Sequence, residues 1–290
     1  MCGGPGDGRA GDWVASREAD IAGDEDLDRG YPSSETRTTG RPMGTTRERL
    51  QELHEELARC RACPRVAGTP VHPSAQPARI LLVGQAPGPR EAAFGKPFAW
   101  TAGKTLFGWF ASVLGADEET VRRRVYLSAV TRCFPGKAPS GGDRRPDPEE
   151  VTRCRRWLRA EVELMRPRLV VPVGTLAIEE VMGHRGGLAD VVGTSHRLVF
   201  EGHRADVIPL PHPSGASTWH RTEPGKTLLG RALKLLAAHP EVIRAFGAPP
   251  LRARRSAPGG NEVSGTSGPP LGRRRKRGVW HLGRHLGRSR

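Results

Sequence analysis

The chain has 290 residues, with 46 Lys and Arg against 31 Asp and Glu, a formal charge of +15 and a pI near 10.8. No stretch approaches the roughly 18 consecutive apolar residues of a membrane span, and no basic, then apolar, then small-residue start is visible. Five Cys are too few for a disulfide framework, so membrane, secreted-miniprotein and coiled-coil classes are excluded and a cytoplasmic protein with a polyanionic partner is expected.

Residues 1–42 hold 5 basic and 9 acidic residues, are rich in Gly, Asp, Ser and Thr, and lack periodicity, so a disordered acidic extension is expected there. Cys2 lies in it and is assigned no role, and Met43 is a candidate alternative start. The domain proper is expected over 43–246. A helix is predicted over 46–60, where Leu50, Leu53, Leu57 and Cys60 share one face. The run 79–83, RILLV, reads as a buried strand. A second helix is predicted over 103–114, a strand over 125–130 and a third helix over 148–166, which opens on Pro148 and Glu149. Strands over 168–173 and 205–210 and a helix over 226–237 complete the pattern. Alternating strands and helices predict an α/β fold, with a mainly parallel sheet covered on both faces and its sites beyond the carboxyl ends of the strands. Residues 247–290, with 11 basic residues and 1 acidic, read as a disordered basic tail. The run Arg273-Arg274-Arg275-Lys276-Arg277 is either a solvated face or a non-specific DNA tether.

Three motifs fall where such a fold places chemistry. Cys60 and Cys63 form a C-x2-C pair at the end of the first helix, Cys133 follows the second strand and Cys154 lies on the next helix. On spacing alone four thiolates suit a structural zinc or a [4Fe–4S] cluster, and the two stay open. The loop 84–98, GQAPGPREAAFGKPF, follows the first strand directly. Its glycines permit close backbone approach to a ligand, and Phe98 is placed either to stack on a planar base or to plug the core. The third motif, PHPSG at 211–215, holds His212 between two prolines, where an imidazole can donate to charge developing on a leaving group. Two GKT triplets, at 103–105 and 225–227, lack the earlier glycine of a phosphate-binding loop.

The order CRACPR (60–65), GQAPG…GKPF…AGKTL (84–106), TRCFPG…PDPEEVTRC (131–154) and HPS (212–214) resembles the uracil-DNA glycosylase superfamily, most of all its iron–sulfur branch, family four, over about residues 46–238. The resemblance implies a three-layer αβα sandwich around a four-stranded, mainly parallel sheet, and a monomer that acts on DNA containing uracil or a related deaminated base. It also implies a [4Fe–4S] cluster on Cys60, Cys63, Cys133 and Cys154, preferred to zinc. The enzyme would flip the nucleotide, hydrolyse its N-glycosidic bond and leave an abasic site. His212 then matches the histidine that meets the base carbonyl and Phe98 the stacking aromatic. The loop with Gly84, Gln85, Ala86 and Gly88 matches the segment that positions water and meets the base. Ser214 and the residues after it match the loop that enters the DNA, with Trp219 either a wedge or a packed surface aromatic.

Two positions depart from family four. Gln85 stands where Glu is usual and cannot act as a base, so Glu91, six residues on, is either the substitute or a surface charge. Ala129 stands where an Asn reads the base edge, so Ser128 or a backbone group is expected to help, and hypoxanthine stays open as a substrate. A non-catalytic iron–sulfur DNA-binding module of the same fold is the alternative reading, and a redox sensor a third.

Overall fold

A computed structural model describes residues 44–139, 141–215 and 217–248. The acidic extension, Cys2, Met43 and residues 249–290 of the basic tail lie outside the described residues.

The chain opens with α1, Thr46–Ala58, whose first turn is closed by a reciprocal cap. The Thr45 hydroxyl accepts from the Glu48 N–H, and the Glu48 carboxylate accepts from the Thr45 N–H. β1 follows at Ile80–Gly84, then the short α2 at Glu91–Phe94 and α3 at Thr101–Leu114. α4 spans Glu118–Arg124, with Asp117 capping one end and three arginines at the other, both favoured by the helix dipole, and runs into β2 at Val125–Ala129. α5 spans Pro148–Met165 behind a second reciprocal cap made by Asp147 and Glu150. β3 (Leu169–Pro172), α6 (Thr175–Met182) and α7 (Leu188–Val191) come next. The hairpin of β4 (His196–Phe200) and β5 (His203–Val207) leads to α8 (Gly225–Ala238) and α9 (Pro240–Phe246).

The sheet order is β2-β1-β3-β5-β4, parallel except for β4. Successive side chains of the inner strands alternate between two cores. Ile80, Leu82, Leu127 and Val171 pack with Phe110, Leu229 and Leu233 of α3 and α8. Leu81, Val83 and Val170 pack with Leu50, Leu158 and Ala177 of α1, α5 and α6. Both faces are therefore covered, which is why the inner strands read as unbroken apolar runs.

The αβα sandwich is as expected, but the sheet has five strands, not four. The added β4 is an antiparallel edge strand, HRLVF, short and opened by two polar residues, with Arg197 exposed and Val199 57% exposed. An edge strand faces solvent and need not be an apolar run. The last parallel strand ends at Val207, short of the expected 210, although Ile208 and Leu210 on either side of Pro209 still donate to the Val170 and Pro172 carbonyls of β3. Both GKT triplets lie at the starts of helices, α3 and α8, that do not follow a strand directly.

Candidate active site

Sheet order reverses around β1, whose neighbours are β2 and β3, so the loops after these strands diverge and leave a crevice at their carboxyl ends. A cavity of about 370 Å3 fills it. Gly84, Gln85, Ala86, Gly88, Glu91, Phe98, His212 and Ser214 all line this one cavity, although they come from loops more than 100 residues apart in sequence.

Phe98 sits in the left-handed region, φ 53°, which strains a non-glycine residue. Arg122 of α4 holds it there, donating from Nη1 to the Pro97 carbonyl at 2.9 Å and from Nη2 to the Phe98 carbonyl at 3.1 Å. The ring then lies over Gly84. A Cβ at that position would stand 2.7 Å from the ring's Cζ, so only glycine lets Phe98 form this wall.

His212 is fixed as closely. The Ser214 N–H donates to its Nδ1 at 3.2 Å, which leaves the proton of a neutral imidazole on Nε2. Burial pushes its pKa below the ordinary value. The Asp143 carboxylate pulls it partly back and His220 pushes it further down, so the ring is neutral at pH 7. Its Cδ2 edge packs on Gly174, φ 88° and ψ 165°, where a Cβ would lie only 2.9 Å away. Gly174 follows β3 and is a positioning residue that the sequence reading missed; the only signal was a glycine at the carboxyl end of an apolar run.

Glu91 is buried rather than a surface charge. Its Oε2 accepts from the Gly88 N–H at 2.7 Å and its Oε1 from the Ala99 N–H at 3.1 Å, so it ties the β1 loop to the Phe98 segment. Burial raises its pKa, partly offset by these N–H groups and by Arg122. The Gly88 N–H is thereby spent, whereas the Ala86 N–H meets no acceptor among the described residues. Ala129 contributes a methyl group to the wall. Ser128 is turned away and donates to Glu161 at 2.8 Å in the opposite core, so it cannot help to read a base.

Several cavity residues were not anticipated. Asp143 ends the 137–143 hairpin and Arg144 follows it, and Trp100 with Arg90 forms the rim. Trp100 is 39% and Phe94 49% exposed, and their rings stack at 5.9 Å, with Arg90 4.4 Å and Lys104 5.9 Å from the Trp100 ring. Trp219 is instead half-buried, packed against the first core and over Gly225, which favours its role as a packed aromatic over a wedge.

The four cysteines line a second, smaller hollow of about 110 Å3. Backbone pairing brings the C-x2-C segment to Cys133: the Ala67 N–H donates to the Phe134 carbonyl at 2.8 Å and the Val71 N–H to the Arg132 carbonyl at 2.7 Å. Among the described residues no group of three or more His, Cys, Asp or Glu side chains is arranged to hold a single metal ion. The donor set still fits a metal centre. Burial, then the neighbouring thiols, push Cys133 up to about 12, and burial pushes Cys154 up to about 11. Thiols gathered in this way ionise only when a cationic centre offsets their charge. Arg156 lies 3.9 Å from the Cys60 sulfur, with Arg61 and Arg153 close by.

A buried polar network reaches the thiol hollow through Arg132. Glu161 accepts from Tyr126, Ser128 and both terminal nitrogens of Arg132, at 2.6–2.9 Å, and His54 lies 2.7 Å from the Tyr126 hydroxyl. Because the single Tyr126 proton goes to Glu161, His54 Nε2 is the donor in that contact.

The model of the family described as "Uracil DNA glycosylase superfamily" matches residues 72–252. A type-4 uracil-DNA glycosylase of Sulfurisphaera tokodaii is 28% identical over 177 residues, spanning 58% of this chain and 75% of that protein. One of Thermotoga maritima is 32% identical over 174 residues, spanning 58% and 84%. A type-5 uracil-DNA glycosylase of Pyrobaculum aerophilum is 30% identical over 199 residues, spanning 59% and 84%.

Proposed function

The chain belongs to the uracil-DNA glycosylase superfamily, and from that premise we propose that it is a DNA glycosylase that hydrolyses the N-glycosidic bond of uracil, or a related deaminated base, in DNA. The observation that carries this reading is the meeting of Phe98 and His212 in one cavity of a size suited to a flipped base.

In this reading the base stacks on Phe98 and one of its carbonyls accepts from His212 Nε2–H and from the free Ala86 N–H. As the C1′–N1 bond opens, negative charge gathers on the base and meets donors already in place, with no reorganisation at the moment of reaction. A neutral imidazole suits this role because its proton stays on Nε2. Glu91 ties the loop to the Phe98 segment through one backbone N–H on each oxygen, and in this reading that is its role. Gln85 orients the water. Trp100 and Phe94, with Arg90 and Lys104, form the rim that meets unpaired DNA beside the flipped nucleotide. With Ala129 in the wall, base choice rests on shape and backbone donors, which keeps hypoxanthine open beside uracil.

Cys60, Cys63, Cys133 and Cys154 would hold a [4Fe–4S] cluster in preference to zinc. It would brace the end of α1, the Cys133 loop and α5 together, away from the reacting bond. Anaerobically purified protein should then carry about four irons per chain.

The test incubates the protein with uracil-, hypoxanthine- and xanthine-containing oligonucleotides and then treats them with alkali. Strand breaks at the altered base support the enzyme. Salt-sensitive binding without breaks supports the non-catalytic module that Gln85 and Ala129 otherwise suggest. Among the described residues no helix is long and apolar enough to cross a membrane.

A further inference from the structure

Neither Gln85 nor Glu91 offers the attacking water a carboxylate oxygen free of hydrogen bonds. Gln85 carries an amide, which takes no proton, and both oxygens of Glu91 hold backbone N–H groups. Among the described residues one other carboxylate lines the cavity, that of Asp143.

Asp143 reaches the cavity on a short hairpin whose two strands meet in an antiparallel bridge between Lys137 and Asp143. The base of the hairpin is pinned by Arg144, which donates from Nε to the Pro135 carbonyl at 2.9 Å and forks onto Glu150 at 2.7 and 3.0 Å. Lys137 donates to Asp143 Oδ1 at 2.7 Å, which fixes the carboxylate and uses one oxygen. The other oxygen, Oδ2, accepts from no described residue and faces the β1 loop, 3.8 Å from where a Cβ on Gly88 would stand. The side chain is 45% exposed, so solvent reaches it. The carboxylate also acts electrostatically on His212, across the cavity from the β1 loop.

We propose that Asp143 is the carboxylate that holds the attacking water and accepts its proton. The inference rests on the glycosylase reading above and assigns the one role which that reading leaves open. In the step, the C1′–N1 bond breaks and its electron pair leaves on the base, whose carbonyl stays hydrogen-bonded to His212. The water oxygen forms its bond to C1′ and the water proton passes to Asp143 Oδ2. That proton is then returned to the released base or to solvent, so the products are the free base and an abasic sugar. Gln85, on the same side as Gly88, orients the water with its amide while Asp143 takes the proton.

The test is single-turnover excision from a uracil oligonucleotide across pH, with wild type, Asp143→Asn and Asp143→Glu, each checked for iron content and for affinity to uncleavable DNA. Asp143→Asn should excise about 10²-fold more slowly, as expected for loss of a positioned base. It should also lose the fall in rate that wild type shows on the acid side. The charged and titratable groups facing Asp143 are Lys137, His212, Glu91, Arg90 and Arg144; Asp143→Asn also removes the carboxylate's pull on His212, so Asp143→Glu, which keeps that charge, separates a lost proton acceptor from a shifted His212. The DNA affinity of Asp143→Asn should be equal or tighter, since a negative charge is removed from the DNA side, and Asp143→Glu should recover part of the rate. An Asp143→Asn rate within about threefold of wild type, or a slower rate with the acid limb intact, overturns the assignment. A wild type that makes no breaks on any altered base overturns the glycosylase reading itself, a result separate from either of those.

Discussion

The cavity beside β1 and the thiol hollow behind it share one stretch of chain, since Ala129 and Pro135 line the first while Cys133 lines the second. They are held by different physics. The cavity is shaped by backbone: a left-handed Phe98, a glycine under its ring and Gly174 beneath His212. The hollow is shaped by charge: four crowded thiols, the arginines around them, and a Glu161–Arg132 pair with 0% and 1% of its side chains exposed. A site made by backbone conformation stands without a guest, whereas a site made by buried charge depends on every partner being present.

The largest expected effect tests the charged side of that contrast. Arg132→Met leaves Glu161 buried without its cation and should destabilise the protein by about 3–5 kcal/mol, read from denaturant midpoints of the iron-loaded form. Iron retention should fall with it, because Cys133 is the next residue. Full stability with full iron would show that the network is not what holds the hollow.

Gly174→Ala tests the backbone side. The position lies in a region of φ and ψ open essentially to glycine alone, so about 1–3 kcal/mol of stability should be lost. His212 should be displaced as well, which slows excision by roughly 10-fold, the equivalent of about 1.4 kcal/mol, while iron content stays unchanged. Loss of iron in this variant would mean that the two regions are not separable.

The same division explains what the sequence made legible. Glycines and prolines mark backbone-built features, and the loops at 84–98 and 211–215 could be located from them. Strand and helix types also followed from apolar runs and stripes. Glu161 was invisible as a site residue because a glutamate on a helix ordinarily faces solvent. Its position three residues after Leu158, on the apolar face of α5, was the available clue, as were Tyr126 and Ser128 on one face of β2. Asp143 lay in a Gly-rich loop with no periodicity. The edge strand β4 was hidden because its apolar run is only three residues, Leu198 to Phe200, behind two polar ones.

A smaller effect appears with pH. Burial, with His72 and Arg132 adding to it, holds His54 down to about 3, against an ordinary 6.5. The unfolded chain therefore binds a proton that the folded chain refuses. Stability is complete above 6.5 and declines as the pH falls from 6.5 toward 3, by up to about 1.4 kcal/mol per pH unit from this group. In His54→Gln the amide can still donate to Tyr126 but does not titrate, so thermal melts should lose this part of the slope. An unchanged slope would place the acid sensitivity elsewhere.

The most direct measurement is single-turnover excision of uracil by His212→Ala beside wild type, scored by alkali-induced strand breaks. Removal of one preorganised donor should slow excision by about 10²-fold or more, with DNA binding retained. A His212→Ala rate close to wild type would contradict the claim that Phe98 and His212 together clasp the departing base.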